Sequence, residues 1–290
     1  MDMMQNLESV IFHLFELAAI RLPTAVEAQL LQAIEREATE LGRQQLALIK
    51  ENLQLAKKLN RPLCQDTGLI SFYIKFNAKL VNPAVIQKII LKVTEKATQA
   101  IPLRPNAVNF FTGNTGTNIG SYIPWIFWDP TDESSLEVTL QLKGGGCSNV
   151  AHLAMLDPAE GFQGVKKAII QAVAEAGSKG CPPYTLGIGL GGTEDLAMIL
   201  AKKSLMVPPN QRNPQKKLEE LELELLRSLN SLKIGVMGLG CGPTALDVHI
   251  LEAARHPGSL PVGISLSCWA LRYATAQISE HETTYLTHRG

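Results

Sequence analysis

The sequence is poor in charged and aromatic side chains. Of its 290 residues, 19% are charged and 6% are aromatic, and the formal net charge is zero; a typical soluble domain has roughly 25% charged residues. Proteins that bind nucleic acid or an acidic membrane surface usually carry an excess of positive charge, which this chain lacks. We therefore expect it to bind neither nucleic acid nor a membrane. With 46% hydrophobic residues, the chain is expected to bury much of its surface in a core, in a partner, or in both.

Long uninterrupted apolar runs are also missing. The apolar stretch 9–22 is interrupted by His13, Glu16 and Arg21, and no small-residue cleavage site follows it. We therefore expect neither a signal peptide nor a membrane span, and we expect a cytoplasmic protein. Because thiols stay reduced in that compartment, the five cysteines predict metal ligation or burial rather than disulfides.

Helical and strand patterns alternate irregularly along the chain, with no internal repeat and no flexible linker. Apolar residues recur at helical spacing in five stretches: 25–59 (bent or broken at Gly42), 85–100, 158–176, 193–205 and 216–232. Strand patterns occupy four stretches: 69–76, 136–142, 233–237 and 261–266. A fifth stretch, 245–250, could be either a helix or a strand. These patterns predict an α+β fold in one domain. A helical segment (1–60) would pack on an α/β part (61–290) that has a mixed sheet flanked by helices.

Three of the cysteines lie in turns rich in glycine or proline. The turns are Arg61-Pro-Leu-Cys-Gln-Asp-Thr-Gly68, Gly180-Cys-Pro-Pro-Tyr184 and Ser265-Leu-Ser-Cys-Trp269. These cysteines are so far apart in sequence that a site built from them would be assembled by the fold and not by a local zinc knuckle. A cluster held by three thiolates leaves one iron open, and an open iron is a Lewis acid.

The turn that contains Cys64 also offers an amide, a carboxylate and a hydroxyl in Gln65, Asp66 and Thr67. Such a loop can present a metal ligand beside a base and beside a hydrogen-bonding group for a substrate carboxylate. The alternative is an ordinary turn in which Asp66 caps its own backbone and Cys64 is a small core residue.

The ordered motifs of this chain resemble those of one enzyme family. They are Pro62-Leu-Cys-Gln-Asp-Thr-Gly68, Lys143-Gly-Gly-Gly146, Gly187-Ile-Gly-Leu-Gly-Gly192, and His256-Pro-Gly-Ser-Leu-Pro-Val262 continuing to Cys268. In this order they are similar to the α subunit, or N-terminal domain, of the class I iron–sulfur fumarases and L-tartrate dehydratases. The resemblance covers roughly Cys64 to Arg272.

The resemblance implies a 4Fe–4S cluster held by Cys64, Cys181 and Cys268, with one labile iron that binds a small dicarboxylate. It implies that Asp66 belongs to the base system and that His256 acts beside the substrate. Its other implied substrate contacts are Gln65, Thr67, Arg104, Gly145 and Gly146. For Arg104 the alternative is a surface arginine after a helix end, and for the 144–146 run it is a bulge at the end of a strand. Arg272 could neutralise the cluster or a substrate carboxylate, or lie on a helix surface.

The function expected from the resemblance is the reversible hydration of fumarate to malate, with L-tartrate dehydration as the alternative. Because the single-chain relatives have a further domain, we expect a separate β subunit, as α2β2. Two hypotheses outside the family remain. Gly187, Gly189 and Gly192 fit a dinucleotide fingerprint, although 197–218 lacks the acidic residue that an NAD(P)-dependent oxidoreductase needs there. We therefore interpret this glycine run as the N-terminus of a helix. The cysteines could instead belong to a non-catalytic metal-binding protein. Cys147 and Cys241 are expected to be buried thiols.

Overall fold

The structure is a computed structural model of the chain, and it describes residues 6–288. Its helices, numbered in chain order, are α1 (Leu7–Ile20), α2 (Thr24–Arg36), α3 (Glu40–Leu59), α4 (Pro83–Ala100), α5 (Gly145–Asn149), α6 (Gly161–Ala176), α7 (Glu194–Ser204) and α8 (Lys216–Ser231). Its strands are β1 (Leu69–Phe76), β2 (Val108–Asn109), β3 (Gly113–Asn114), β4 (Trp125–Pro130), β5 (Leu136–Lys143), β6 (His152–Leu156), β7 (Tyr184–Leu190), β8 (Ala245–Glu252), β9 (Leu260–Ser267), β10 (Arg272–Ile278) and β11 (Thr283–Tyr285). The α+β fold with mixed sheets is confirmed.

The chain divides into two compact units. The first unit comprises Met1–Thr24, Glu51–Gly145 and Arg272–Gly290. Its five-stranded sheet has the order β11-β10-β5-β1-β4, in which β1 and β4 run parallel and the other pairs are antiparallel. Helices α1 and α4 bury their apolar faces on this sheet, and the rings of Phe15 and Phe72 meet edge to face at 5.9 Å. Burial of these apolar surfaces is the main stabilising contribution to the unit.

The second unit comprises Ala25–Lys50 and Gly146–Leu271. Its four-stranded sheet has the order β6-β9-β7-β8, with β7 and β8 parallel and the other pairs antiparallel. Alternate residues of β7, from Tyr184 to Leu190, pack with α6 and α8 in the apolar core. Because side chains alternate across a strand, the intervening glycines of β7 face the opposite side, where α7 lies.

Gly187 and Gly189 allow α7 to lie directly on the backbone of β7. A Cβ on Gly187 would lie 2.1 Å from the carbonyl oxygen of Ala201, and one on Gly189 would lie 2.0 Å from that of Ala197. Real Cβ atoms do not come this close to backbone, so only glycine fits. The prediction of a helix N-terminus at this glycine run is wrong for Gly187 and Gly189, because both lie inside a strand.

Most predicted elements appear close to their expected bounds, with two differences. The helical pattern over 25–59 breaks at residues 37–39 and not at Gly42, and the Thr39 hydroxyl oxygen accepts the Gly42 N–H at 3.2 Å. The strand expected at 233–237 is absent from the described residues, because a short 3-10 turn, Val236–Gly238, forms there between glycines with positive φ. The ambiguous stretch 245–250 belongs to β8. The expectation of one domain over 1–290 stays a prediction.

One helical stretch, Leu7–Arg36, is long and apolar enough to cross a membrane by length and composition, with a hydropathy of 1.4 over its most apolar window. No such segment was expected from the sequence. The stretch comprises α1, α2 and the break between them, and 61% of that window is buried inside the structure. Nine residues of α1 are buried in the core, which is typical of a core helix.

Candidate active site

The strand register of the first unit brings two loops and the first residue of β10 to one end of its sheet. Leu69, the first residue of β1, pairs with Lys143, the last residue of β5, and Arg272, the first residue of β10, pairs with Leu142. The residues just outside these strands therefore meet at the same sheet end. Among them are the loop that carries Asp66 and the glycines that follow β5.

Three donors hold the Asp66 carboxylate. Oδ2 accepts the Gly145 N–H at 2.7 Å, and Oδ1 accepts the Gly68 N–H at 3.0 Å and the Asn106 side-chain amide at 3.3 Å. A carboxylate offers about four lone-pair positions, so one position on Oδ2 is left for a further proton or donor. Asp66 is half-buried, and its orientation is fixed before any ligand arrives.

Asn118 links the Asp66 loop to Arg104. Its side-chain oxygen accepts the Asn106 N–H at 2.6 Å, and its amide donates to the carbonyl of Arg104 at 3.1 Å. The Thr67 hydroxyl donates to the same carbonyl at 3.2 Å. The backbone of Arg104 is therefore fixed, while its side chain is exposed. Asn118 is only 2% exposed and has φ of 59°.

The first unit thus brings Asp66, Thr67, Arg104 and Gly145 together by direct hydrogen bonds or through Asn106 and Asn118. Gln65 is exposed and Cys64 is half-buried on the same loop. The structure gives two of these predicted groups a local partner already, because the Thr67 hydroxyl and the Gly145 N–H both donate within the loop cluster. Their predicted contacts with a substrate stay predictions.

The second unit brings together the segments that carry Cys147, Cys181 and Cys268. The Cys268 N–H donates to the sulfur of Cys147 at 3.2 Å, and that sulfur lies 3.5 Å from the carbonyl oxygen of Gly180. The Trp269 N–H donates to the carbonyl of Cys181 at 3.4 Å. Two of the three predicted ligands therefore lie on adjacent segments, and the sulfur of Cys147 joins these segments. As expected, Cys147 is buried, with 4% exposure, but the burial expected of Cys241 is wrong, because Cys241 is only half-buried.

Tyr184 supports the turn that carries Cys181. Its hydroxyl accepts the Gly180 N–H at 3.0 Å and donates to the Gly177 carbonyl at 2.8 Å. Burial is the largest cause that raises the pKa of Tyr184 to about 12, and the cysteines Cys147, Cys181 and Cys268 add to it electrostatically. The phenol therefore stays protonated at neutral pH and keeps donating. Cys181 itself is exposed, with φ of 58°, so its sulfur is presented by a strained turn.

His256 lies in an exposed turn of the second unit. The Gly258 N–H donates to its Nδ1 at 3.0 Å, so the neutral ring carries its proton on Nε2 and acts there as a donor. The Arg255 guanidinium donates to the carbonyls of His256, Pro257 and Ser259 and holds the turn. His256 lines a cavity of about 360 Å³ together with Thr193, Glu194 and Ser259.

The donor chemistry suits an iron–sulfur cluster, since thiolates are its usual ligands. None of the five cysteines, all of which are described, forms a disulfide. Within residues 6–288, however, no group of three or more Cys, His, Asp or Glu side chains is close enough to hold a metal ion. Cys64 belongs to the first unit, and Cys181 and Cys268 belong to the second. The three-thiolate ligand set therefore stays a prediction.

Comparison with known proteins identifies relatives over nearly the whole chain. The family model of fumarate hydratase (Fumerase) matches residues 8–277. A protein of Methanocaldococcus jannaschii, named "Putative L(+)-tartrate dehydratase subunit alpha", is 42% identical over 94% of this chain and 98% of its own length. The L(+)-tartrate dehydratase subunit alpha of Escherichia coli K12 is 36% identical over 93% of this chain and 90% of its own length.

The family model and these relatives define the class of protein: a hydro-lyase, an enzyme that breaks carbon–oxygen bonds by loss of water. The chain belongs to the fumarate hydratase (Fumerase) family, and it is of the α-subunit type.

Asn106, Asn118 and Tyr184 were not predicted from the sequence as supporting residues. Asn118 lies in a turn-rich stretch, 110–130, that was recognised as unusual, but no motif distinguished this asparagine from its neighbours. Asn106 follows Arg104-Pro105, and a hydrogen bond across forty residues to Asp66 cannot be deduced from sequence spacing. Tyr184 stands at the end of the turn that carries Cys181, where a hydrogen-bonding aromatic residue directly after two prolines was the available signal.

Proposed function

We propose that this chain is the α subunit of an iron–sulfur-dependent L-tartrate dehydratase. The observation that carries the proposal is the naming of relatives that align over 93–94% of the chain, all as subunit alpha of L(+)-tartrate dehydratase. These names favour L-tartrate, the alternative substrate expected from the sequence, over fumarate. Fumarate hydration remains the second candidate, because the matching family model bears the description fumarate hydratase.

The reaction removes the elements of water from a 2,3-dihydroxy diacid. A proton leaves one carbon, hydroxide leaves its neighbour, and the resulting enol tautomerises to a 2-oxo diacid. In our proposal Cys64, Cys181 and Cys268 hold a 4Fe–4S cluster. Such a cluster supplies a Lewis acid for the departing hydroxyl when it is bound. The remaining work, which is to orient the diacid and to move the carbon-bound proton, belongs to the side chains of the protein.

Asp66 is the proposed proton acceptor or the group that positions it. Its three donors fix the carboxylate and leave one lone pair of Oδ2 for the proton. Holding a base in one orientation lowers the entropic cost of proton abstraction. Arg104 is the proposed partner for a substrate carboxylate, because its backbone is fixed and its exposed guanidinium matches a carboxylate fork.

His256 is proposed to donate a hydrogen bond to substrate rather than to accept a proton. With Nδ1 occupied by the Gly258 N–H, the neutral ring offers Nε2–H. Gln65, Thr67, Gly145 and Gly146 complete the proposed substrate contacts. Since the Gly145 N–H already serves Asp66, Gly145 acts in this scheme mainly by fixing the base.

We also propose a separate β subunit, in an α2β2 complex in the cytoplasm. The relatives named subunit alpha support a partner chain. A second support is the hairpin of β2 and β3, whose connecting residues Phe110 and Phe111 are each 94% exposed. Tyr122 nearby in sequence is 84% exposed. Exposed apolar residues in such number are typical of a protein–protein interface.

The test is an anaerobic assay of the chain co-expressed with its β subunit on L-tartrate, D-tartrate and malate. The proposal expects a 2-oxo diacid from L-tartrate, with kcat/KM at least tenfold above the values for D-tartrate and malate. Turnover of malate to fumarate at a higher kcat/KM than that of L-tartrate would move the assignment to fumarate hydratase. Full activity of the α chain alone would contradict the proposed partner.

A further inference from the structure

Arg272 is a buried cation at the same sheet end as Asp66. It is the first residue of β10 and only 2% exposed. Its Nε and Nη1 atoms are fully buried donors that have no hydrogen-bond partner among the described residues. The helix-surface role left open by the sequence is therefore wrong, since Arg272 lies in a strand and is buried.

An arginine in this state requires an anion. Its guanidinium stays charged at every accessible pH, so it cannot escape the cost of burial by losing a proton. Buried donors without a partner are rare in native proteins, and a buried charge without a partner removes a large part of the stability of a domain. A structural arginine would direct its five N–H donors to nearby carbonyls or carboxylates, whereas the three N–H groups on Nε and Nη1 of Arg272 have no partner among the described residues.

Gly144 keeps the space between Arg272 and Asp66 open. A Cβ built on Gly144 would lie 3.6 Å from Nη2 of Arg272 and 3.0 Å from Oδ2 of Asp66. Any larger residue would push against the carboxylate and intrude beside the guanidinium. The proposed base and a buried cation with spare donors therefore flank one small space that lacks a side chain.

We propose that Arg272 binds an anionic group of the active site. The chemistry that fits its planar fork is a carboxylate of the dicarboxylate substrate or the negatively charged sulfur of the cluster. This inference rests on the proposed function, because that function supplies both anions. It adds a second positive group to Arg104 and places it beside the proposed base.

The experiment compares Arg272→Gln and Arg272→Lys in the complete αβ complex with the wild type. Arg227→Gln, an exposed arginine on α8, is the matched control. One arm measures KM and kcat for L-tartrate and the calorimetric affinity for malonate, a dicarboxylate that cannot react. The other arm measures the midpoint potential and the visible spectrum of the cluster without substrate.

If the anion is a substrate carboxylate, Arg272→Gln raises KM and weakens malonate binding at least tenfold, and the potential is unchanged. Arg272→Lys, which keeps the charge but not the fork, then recovers part of the affinity. If the anion belongs to the cluster, the potential of Arg272→Gln shifts while malonate affinity stays the same. If a folded Arg272→Gln or Arg272→Lys variant has the KM, the malonate affinity and the midpoint potential of the wild type, the proposal is wrong.

The two proposals can fail separately. A wild-type complex without activity on any of the three substrates would defeat the proposed function, while the malonate and potential arms would still report on Arg272. Should Arg272→Gln not fold, Arg272→Lys preserves most of the buried volume and the charge, and it gives the same readouts with smaller changes.

Discussion

Replacing Asn118 with alanine should loosen both Arg104 and the Asp66 loop. Asn118 is 2% exposed, and its side chain makes the hydrogen bonds to the Asn106 N–H and the Arg104 carbonyl, with another to the Thr98 hydroxyl at 3.1 Å. In the variant the carbonyl of Arg104 still accepts the hydrogen bond from the Thr67 hydroxyl, and the Thr98 hydroxyl still donates to a backbone carbonyl. The Asn106 N–H is therefore the group left without a partner.

The magnitude has two parts. A buried N–H without an acceptor costs about 1–3 kcal/mol. Asn118 also has φ of 59°, a conformation that costs alanine about 1 kcal/mol more than it costs asparagine or glycine. Together these predict that Asn118→Ala lowers the free energy of unfolding by about 2–4 kcal/mol. The decrease for Asn118→Gly should be about 1 kcal/mol smaller. At the size of this chain, with an unfolding entropy of about 2.1 cal/mol/K per residue, the decrease for Asn118→Ala corresponds to a fall in melting temperature of about 3–7 °C.

Thermal melts of the complex and steady-state kinetics provide the assay. Gln171→Ala, on the exposed side of α6, is the control and should change neither quantity. Asn118→Ala should raise KM through Arg104 and lower kcat through the Asn106 contact with Asp66. A melting temperature within 1 °C of wild type, or lost stability with unchanged kinetics, would refute the reasoning that this network positions the site.

Further predictions concern the base, the thiols, oxygen and pH. Asp66→Asn should keep the visible spectrum of the cluster while turnover falls at least a hundredfold; near-normal turnover would remove Asp66 from the base system. Cys147→Ala should increase the rate of iron loss in air several-fold, measured by chelator uptake, because the segments of Cys181 and Cys268 lose their shared contact. The rate for Cys147→Ser should lie between those of the wild type and Cys147→Ala. Equal rates for all three proteins would show that Cys147 has no such role. Activity should decay in air and return with ferrous iron and thiol, whereas stable activity in air with chelator would contradict an open iron. Burial lowers the pKa of His288 to about 4, so the unfolded chain, in which histidine titrates near 6.5, binds the proton more readily. Stability should therefore be complete above about pH 6.5 and decline towards pH 4, and His288→Gln should flatten this slope in melts across that range; parallel slopes would contradict it.

Local patterns predicted most of the elements, because their signals lie within a single helix or strand. The alternation of β1 and the helical spacing of α4 are of this kind, and both appear close to their expected bounds. The stretch 233–237 looks like a strand by composition, but the glycines around it adopt positive φ and turn the chain instead. The glycines of β7 were misassigned because their cause is a neighbouring helix, which no local window contains.

The site was predictable where a single turn concentrates chemical groups. Gln65, Asp66 and Thr67 are adjacent in sequence, and the family resemblance added Arg104 and Gly145, which the structure brings to the same loop cluster. Asn118 could not be assigned in this way, and for Arg272 the sequence left a role beside an anion and a role on a helix surface equally open. Strand register and burial, which join segments far apart in the chain, are what distinguish these two residues.

The most direct test of the account is the iron and acid-labile sulfide content of the anaerobically purified complex, with its visible spectrum. We predict about four iron and four sulfide per α chain, a brown protein, and loss of this content when Cys64, Cys181 or Cys268 is replaced singly by serine. Cys241→Ser should leave it unchanged. A colourless protein with tightly bound zinc, or a full cluster in the Cys64→Ser variant, would contradict the account.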